Sequence, residues 1–240
     1  KVGITEEQSG TYTDFALINI GGIDAAGGDA VNDISFMVLD VMEEMRLTQP
    51  SGCIQLAVGN SDRFLHRACE VVRTGFGQPS IFNTDVIVRE LLNQGKSLAD
   101  ARNGGPSGCV TVSAHGKESC CLTGYCNWAK ILELGLHNGV DPRTGVHLGP
   151  ATGEARQFRT FDQVVAAYRE QLVHFIDLKH AGNNVIERLF AHYLPAPFMS
   201  VVMDDCLEKG MDYHDGGARY NPTYIQGVGL GTLTDSLTAI

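Results

Sequence analysis

The sequence predicts an α/β fold around a buried sheet or barrel. Three observations carry that expectation. Short apolar runs of strand length alternate with segments whose apolar residues recur every three or four positions. Capping residues stand at the starts of the periodic segments. The chain has 240 residues, 43% hydrophobic and 19% charged, enough to bury a substantial core as one large domain or a piece of one.

Gly28-Asp29 opens a helical pattern through Val31, Ile34, Val38, Val41, Met42 and Met45. Cys53 to Val58 is a short apolar run closed by Gly59-Asn60, and so a buried strand. Ser61-Asp62 caps a second helix whose inner face is expected to carry Leu65, Cys69 and Val72. Asn83-Thr84-Asp85 precedes a third, with Val86, Leu91 and Leu92, stopped at Gly95. The glycine-rich stretch Gly104 to Gly108 leads into the apolar pair Cys109-Val110. A helix over Trp128 to Leu136 ends at Asn138-Gly139. Thr160 and Gln163 form a capping box for the longest helix, through Val164, Tyr168, Leu172 and Ile176, with its course past Gly182 left open. Pro195 and Pro197 end it, and Phe198 to Met203 reads as a strand with Asp204-Asp205 at its carboxyl end.

The formal charge of −10 and the lack of a Lys/Arg run exclude nucleic acid and anionic membranes as expected partners. No apolar stretch reaches the roughly 18–20 residues of a membrane-spanning helix. The seven cysteines show no secreted disulfide framework, which points to reduced thiols and a cytoplasmic setting. Lys1-Val2-Gly3 has neither an initiator Met nor a signal-peptide layout, and Thr238-Ala239-Ile240 lies inside an amphipathic segment. The expectation is therefore a segment of a longer protein.

Chemistry in α/β folds concentrates on loops at strand ends, which singles out Gly108-Cys109 and Asp204-Asp205. A cysteine between Gly and Val is commonly a buried structural thiol. Here five turn-forming residues precede it, the kind of loop that pushes one side chain into an enclosed space.

Gly105-Pro106-Ser107-Gly108-Cys109-Val110, then Gly116-Lys117-Glu118, Leu122-Thr123-Gly124-Tyr125 and Lys130-Ile131-Leu132-Glu133, resembles the active-site region of glycyl-radical enzymes of the pyruvate formate-lyase-like superfamily. Flanking segments resemble the same family in order: Gly21-Gly22-Ile23-Asp24 with Gly28 to Asn32, Ser97 to Arg102, Asp204 to Gly210, Gly216 to Asn221, and Thr234 to Ile240. The resemblance implies part of a ten-stranded α/β barrel, with residues 1–240 as a partial catalytic domain, the cysteine loop at about 104–118, and the C-terminal glycyl-radical domain absent. It also implies a glycyl radical installed in the full-length enzyme by an S-adenosylmethionine-dependent iron–sulfur activase, and a full-length homodimer acting on a small molecule. Cys109 is then the thiyl residue that takes hydrogen from substrate, and the fragment alone is inactive. No bound cofactor or metal is expected in this segment.

In the branch that transfers acyl groups to coenzyme A, two adjacent cysteines stand at the site; here Gly108 precedes Cys109, and Cys120-Cys121 falls elsewhere. The eliminating branches, which act on diols, choline, hydroxyproline or isethionate, carry a glutamate two residues after the cysteine, where this chain has Thr111. A threonine hydroxyl is no useful base near pH 7. His115 occupies a position where relatives have an aromatic residue; its imidazole can hold a substrate carboxylate, move a proton, or simply pack. Thr111 and His115 are the expected substrate-binding residues. With no carboxylate at position 111, radical decarboxylation of an arylacetate is the leading expectation. C–O, C–S or C–N elimination and a catalytically silent barrel are its alternatives.

Gly227 to Thr232 lacks phosphate-loop spacing and a following Lys. Cys120, Cys121 and Cys126 lack the pairing of a zinc site. Asp204 and Asp205, adjacent on a strand, are expected to face opposite ways, so that capping the next helix outranks a joint acid–base role.

Overall fold

The computed structural model describes residues 17–46, 50–108 and 111–240, the side chains of Leu122 and Thr123 aside. Contacts divide the chain into two compact units, Lys1–Glu118 and Ser119–Ile240. Among the described residues the strands form one three-stranded and two two-stranded sheets.

The first unit begins with a parallel sheet, β1 (Leu17–Gly21), β2 (Ser51–Leu56) and β3 (Ser80–Asn83), in that order across the sheet. Ile20 lies beside Ile54, and Ile54 beside Ile81. Helices α1 (Asp33–Met45) and α2 (Asp62–Arg73) connect the strands, as parallel pairing requires. Ile20, Leu39, Ile54, Phe64, Ala68 and Val71 form the core between them.

Asn32 caps α1: its Oδ1 accepts from the N–H groups of Ile34 and Ser35, while Ser35 Oγ accepts from Asn32 N. The helix therefore starts at Asp33, later than the periodicity suggests. Asp29 is occupied in the preceding loop, where its carboxylate accepts from Val31 N and Asn60 Nδ2.

On α2 the expected inner face is wrong by one position. Phe64, Ala68 and Val71 are buried, whereas Leu65, Cys69 and Val72 are exposed. Two adjacent apolar stripes have the same period, and the larger ring goes inward. Phe64 meets Phe36 edge-on at 6.0 Å and covers Gly21, where a Cβ would lie 2.6 Å from its Cε1.

Asn83 closes β3 and caps α3 (Thr84–Asn93) by accepting from Val86 N. Leu91 is buried as expected, but Ile87 joins it in place of Val86 and Leu92. After α4 (Leu98–Arg102) the chain turns into an antiparallel pair, β4 (Gly104–Pro106) and β5 (Val112–Ala114).

The second unit pairs β6 (Cys121–Asn127) in parallel with β7 (Thr223–Val228). Helix α5 (Trp128–Leu136) packs on α6 (Phe161–Tyr193) and on α9 (Leu230–Ala239) through Leu132, Val164 and Leu233. The expected capping box starts α6, which runs unbroken past Gly182 and stops before Pro195. Buried Gln171 ties this helix to the preceding loop by donating to Pro150 O at 2.6 Å and Thr152 Oγ1 at 3.1 Å. Gly227 lies against the Trp128 indole, where a Cβ would come within 2.2 Å. Its glycine serves strand–helix packing.

Phe198 to Met203 is not a strand. Pro197 opens helix α7 (Pro197–Val202), since its fixed φ and missing N–H suit a first helical turn. Ser200 Oγ donates inside that helix to Ala196 O, and a short helix α8 (Cys206–Lys209) follows. Asp204 and Asp205 do not face opposite ways: both reach the Arg219 guanidinium, at 3.4 and 2.8 Å. Asp205 precedes α8 with φ 72° but makes no side-chain cap. Among the described residues no helix is long and apolar enough to cross a membrane, and no group of three His, Cys, Asp or Glu side chains is placed to hold a metal.

Candidate active site

The cysteine loop is the connection between β4 and β5. Gly104 pairs with Ala114, Gly105 with Ser113 and Pro106 with Val112. Ser107 N then donates to Thr111 O at 2.9 Å, closing the hairpin around residues 108–110. Cys109 and Val110 themselves lie outside the described residues.

The glycines before the turn are required by contact. A Cβ on Gly104 would lie 2.4 Å from Leu91 Cδ1 and 2.7 Å from Ser113 O. On Gly105 it would lie 2.4 Å from Gln55 Nε2 and 2.9 Å from His115 Cε1. Without side chains at these positions, β4 seats itself on α3 and beneath the ends of Gln55 and His115. Gln55 is one residue from the carboxyl end of β2, the edge of a parallel sheet where α/β proteins place ligands.

Pro106 is fully buried, and its carbonyl accepts two side-chain donors, Asn19 Nδ2 at 3.0 Å and His115 Nε2 at 3.2 Å. A carbonyl only accepts, so the imidazole carries a proton on Nε2. Among the described residues Asn19 Oδ1 is buried without a hydrogen-bond partner.

The other end of the hairpin is anchored by charge. Glu118 is fully buried; its Oε2 accepts from Ala114 N at 2.8 Å and its Oε1 pairs with Lys96 Nζ at 3.0 Å. Lys117 Nζ reaches Asp100 at 2.5 Å. Two ion pairs thus bind the segment after β5 to α4 and to the turn preceding it.

Of the residues expected at the site, Thr111 and His115 flank β5 and share one face by the two-residue period of a strand. Thr111 is half-buried and its hydroxyl lies over Gly108, 3.7 Å from where a Cβ there would stand. His115 is exposed apart from its bond to Pro106. Asn19, Gln55 and Lys96 went unread because their partners are distant in sequence: 87 residues separate Asn19 from Pro106. The Gly-Lys-Glu run at 116–118 was the available signal for the ion pairs.

Two cysteines of β6 in the second unit have thiols whose pKa is raised. Burial, and then the Glu187 carboxylate, pushes the Cys121 thiol up; burial raises Cys126 despite the Lys179 ammonium.

The sequence profile of the family described as pyruvate formate lyase-like matches residues 1–240. The chain is 54% identical over 240 residues to trans-4-hydroxy-L-proline dehydratase of Clostridioides difficile, covering all of this chain and 30% of that protein. A solved structure of hydroxyproline dehydratase from the same organism, with trans-4-hydroxy-L-proline bound, superposes with a TM-score of 0.92 over 100% of this chain and 30% of that one. The glycerol-bound B12-independent glycerol dehydratase of Clostridium butyricum superposes with a TM-score of 0.87 at 34% identity, again over 100% and 30% of the two chains. Indoleacetate decarboxylase of Tractidigestivibacter scatoligenes is 30% identical over 230 residues, 93% of this chain and 25% of that enzyme. The chain thus spans about 30% of the length of hydroxyproline dehydratase.

Proposed function

The chain belongs to the pyruvate formate lyase-like family, and on that premise we propose that it is the cysteine-loop segment of a glycyl-radical eliminase, a dehydratase of small hydroxylated substrates. The observation that carries this reading is the 54% identity to hydroxyproline dehydratase along the whole chain. It displaces the arylacetate decarboxylation expected from Thr111, since the decarboxylase relative is only 30% identical. The alternative of elimination is the better supported one. A ten-stranded barrel completed by the rest of the protein, a separate activase and a homodimer belong to the same proposal.

Cys109 is the hydrogen-abstracting thiyl residue. It takes a hydrogen atom from the carbon next to the one bearing the leaving hydroxyl, forming S–H, and returns a hydrogen atom after water has departed. The glycyl radical of the full-length protein supplies the one-electron oxidation of the thiol. Thr111, on the face beside the turn, holds the leaving hydroxyl by a hydrogen bond. His115, with Nε2 engaged on Pro106, takes a proton at Nδ1 from the heteroatom on the carbon that has lost hydrogen and passes it to the leaving hydroxyl, which departs as water.

The test is the activated full-length enzyme offered trans-4-hydroxy-L-proline, glycerol, 1,2-propanediol and indoleacetate. The expected result is dehydration of a hydroxylated substrate, hydroxyproline first, with a glycyl doublet in the electron paramagnetic resonance spectrum and no turnover in Cys109→Ala. Turnover of indoleacetate alone, or an active Cys109→Ala variant, overturns the reading.

A further inference from the structure

The turn that carries Cys109 is gripped at one atom on its amino-terminal side. Pro106, three residues before the cysteine, has no N–H, so its carbonyl is its only backbone hydrogen-bonding group. Two side chains from separate segments converge on that oxygen: Asn19 from β1 at 3.0 Å, and His115 from beyond β5 at 3.2 Å. Asn19 makes this bond while its own Oδ1 stays buried and, among the described residues, unpartnered. An amide that leaves one end unsatisfied is poorly explained by packing; its Nδ2 contact is what the position provides. His115 is exposed, so its ring contributes little to a core, and its Nε2–H is again the specific contact.

We propose that Asn19 and His115 are positioning residues which, through the Pro106 carbonyl, fix the turn bearing Cys109 at the distance hydrogen-atom transfer requires. The inference rests on the functional reading above for its catalytic consequence, but not for its structural one. Neither donor is replaced by the hairpin's own ladder. The pair Pro106–Val112 and the bond from Ser107 N to Thr111 O hold the two arms together. Asn19 ties the arm before the turn to the parallel sheet through a hydrogen bond to its last residue, and His115 braces it from the other arm. Asn19 is the sharper test, because it has no role toward substrate.

The experiment uses the full-length protein with Asn19→Leu, His115→Phe and the double variant. In the resting enzyme, amide hydrogen exchange across 104–114 is expected to accelerate in each single variant, while His115→Gln, which keeps a donor, retains wild-type exchange. In the activated enzyme, Asn19→Leu is expected to lower kcat about 10- to 100-fold, the scale of a misplaced reacting group. KM stays within about twofold, and glycyl-radical content is unchanged. The double variant should fall short of the product of the two losses, since both donors serve one carbonyl. Wild-type exchange in Asn19→Leu overturns the clamp. Faster exchange with wild-type kcat, or a lower kcat fully explained by a raised KM or less radical, overturns its catalytic meaning. If the wild type acquires no glycyl radical, the functional reading fails while the exchange experiment still decides the clamp.

Discussion

Replacing Glu118 by Leu removes the anchor behind the cysteine hairpin and permits a quantitative test of how that hairpin is held. The Glu118 side chain is 0% exposed and that of Lys96 is 3% exposed, at 3.0 Å. Taking away one member of a buried ion pair costs about 3–5 kcal/mol, because the remaining charge keeps its desolvation penalty without its counter-charge. The Ala114 amide also loses its carboxylate acceptor, worth about 1–3 kcal/mol. The two losses overlap, so the ion-pair figure sets the scale. At about 1.4 kcal/mol per power of ten, amide exchange in 112–118 should speed up by roughly two to three and a half powers of ten. Hydrogen exchange read by mass spectrometry on the full-length protein reports this locally, without requiring the whole molecule to unfold in one step. The double variant Lys96→Met/Glu118→Leu removes both charges and should recover most of the protection, leaving the Ala114 deficit. Glu118→Gln, which retains an acceptor, should fall between. Wild-type exchange in Glu118→Leu, or a double variant worse than the single one, would refute the reasoning.

Two further outcomes follow from the same contacts. Gly104→Ala should destabilise the protein by about 1–3 kcal/mol, because the new methyl meets both Leu91 and the Ser113 carbonyl; a lowered Tm of the full-length protein checks it. Asp141 is held at about 2, against an ordinary 3.8, first by the Lys130 ammonium, then by the Arg143 N–H and the Thr144 hydroxyl. Its folded-state pKa is depressed, so its contribution is present above about 3.8 and lost as pH falls toward about 2. The stability difference between wild type and Asp141→Asn should accordingly vanish across that window in a pH series of thermal unfolding.

The helix starts at Asp62, Thr84 and Phe161 were legible to within a residue or two, because a cap is a contact between neighbours in sequence. The helix read as opening at Gly28-Asp29 starts only at Asp33, behind its Asn32 cap. The glycine-rich approach to Cys109 was legible for a similar reason, since a tight turn is written in the residues that make it. The error at Phe198 to Met203 arose where an apolar run has no period of its own. Pro197 starts a helix there, and Ser200 and Ala196 bond Asp212, a partner the local sequence does not reveal.

By itself, then, the amino-acid order determined the α/β class, the ends of the main helices and the place of the cysteine turn, along with the family those motifs announce. Tertiary structure decided which stripe of α2 faces inward, why Gly104 and Gly105 carry no side chain, and that Asp204 and Asp205 share Arg219. It also brought Asn19 and His115 to one carbonyl, and put Glu118 on Lys96. The physical reason is range: caps and turns are settled by bonds spanning a few residues, whereas burial, charge pairing and loop placement depend on partners that meet only when distant strands and helices pack.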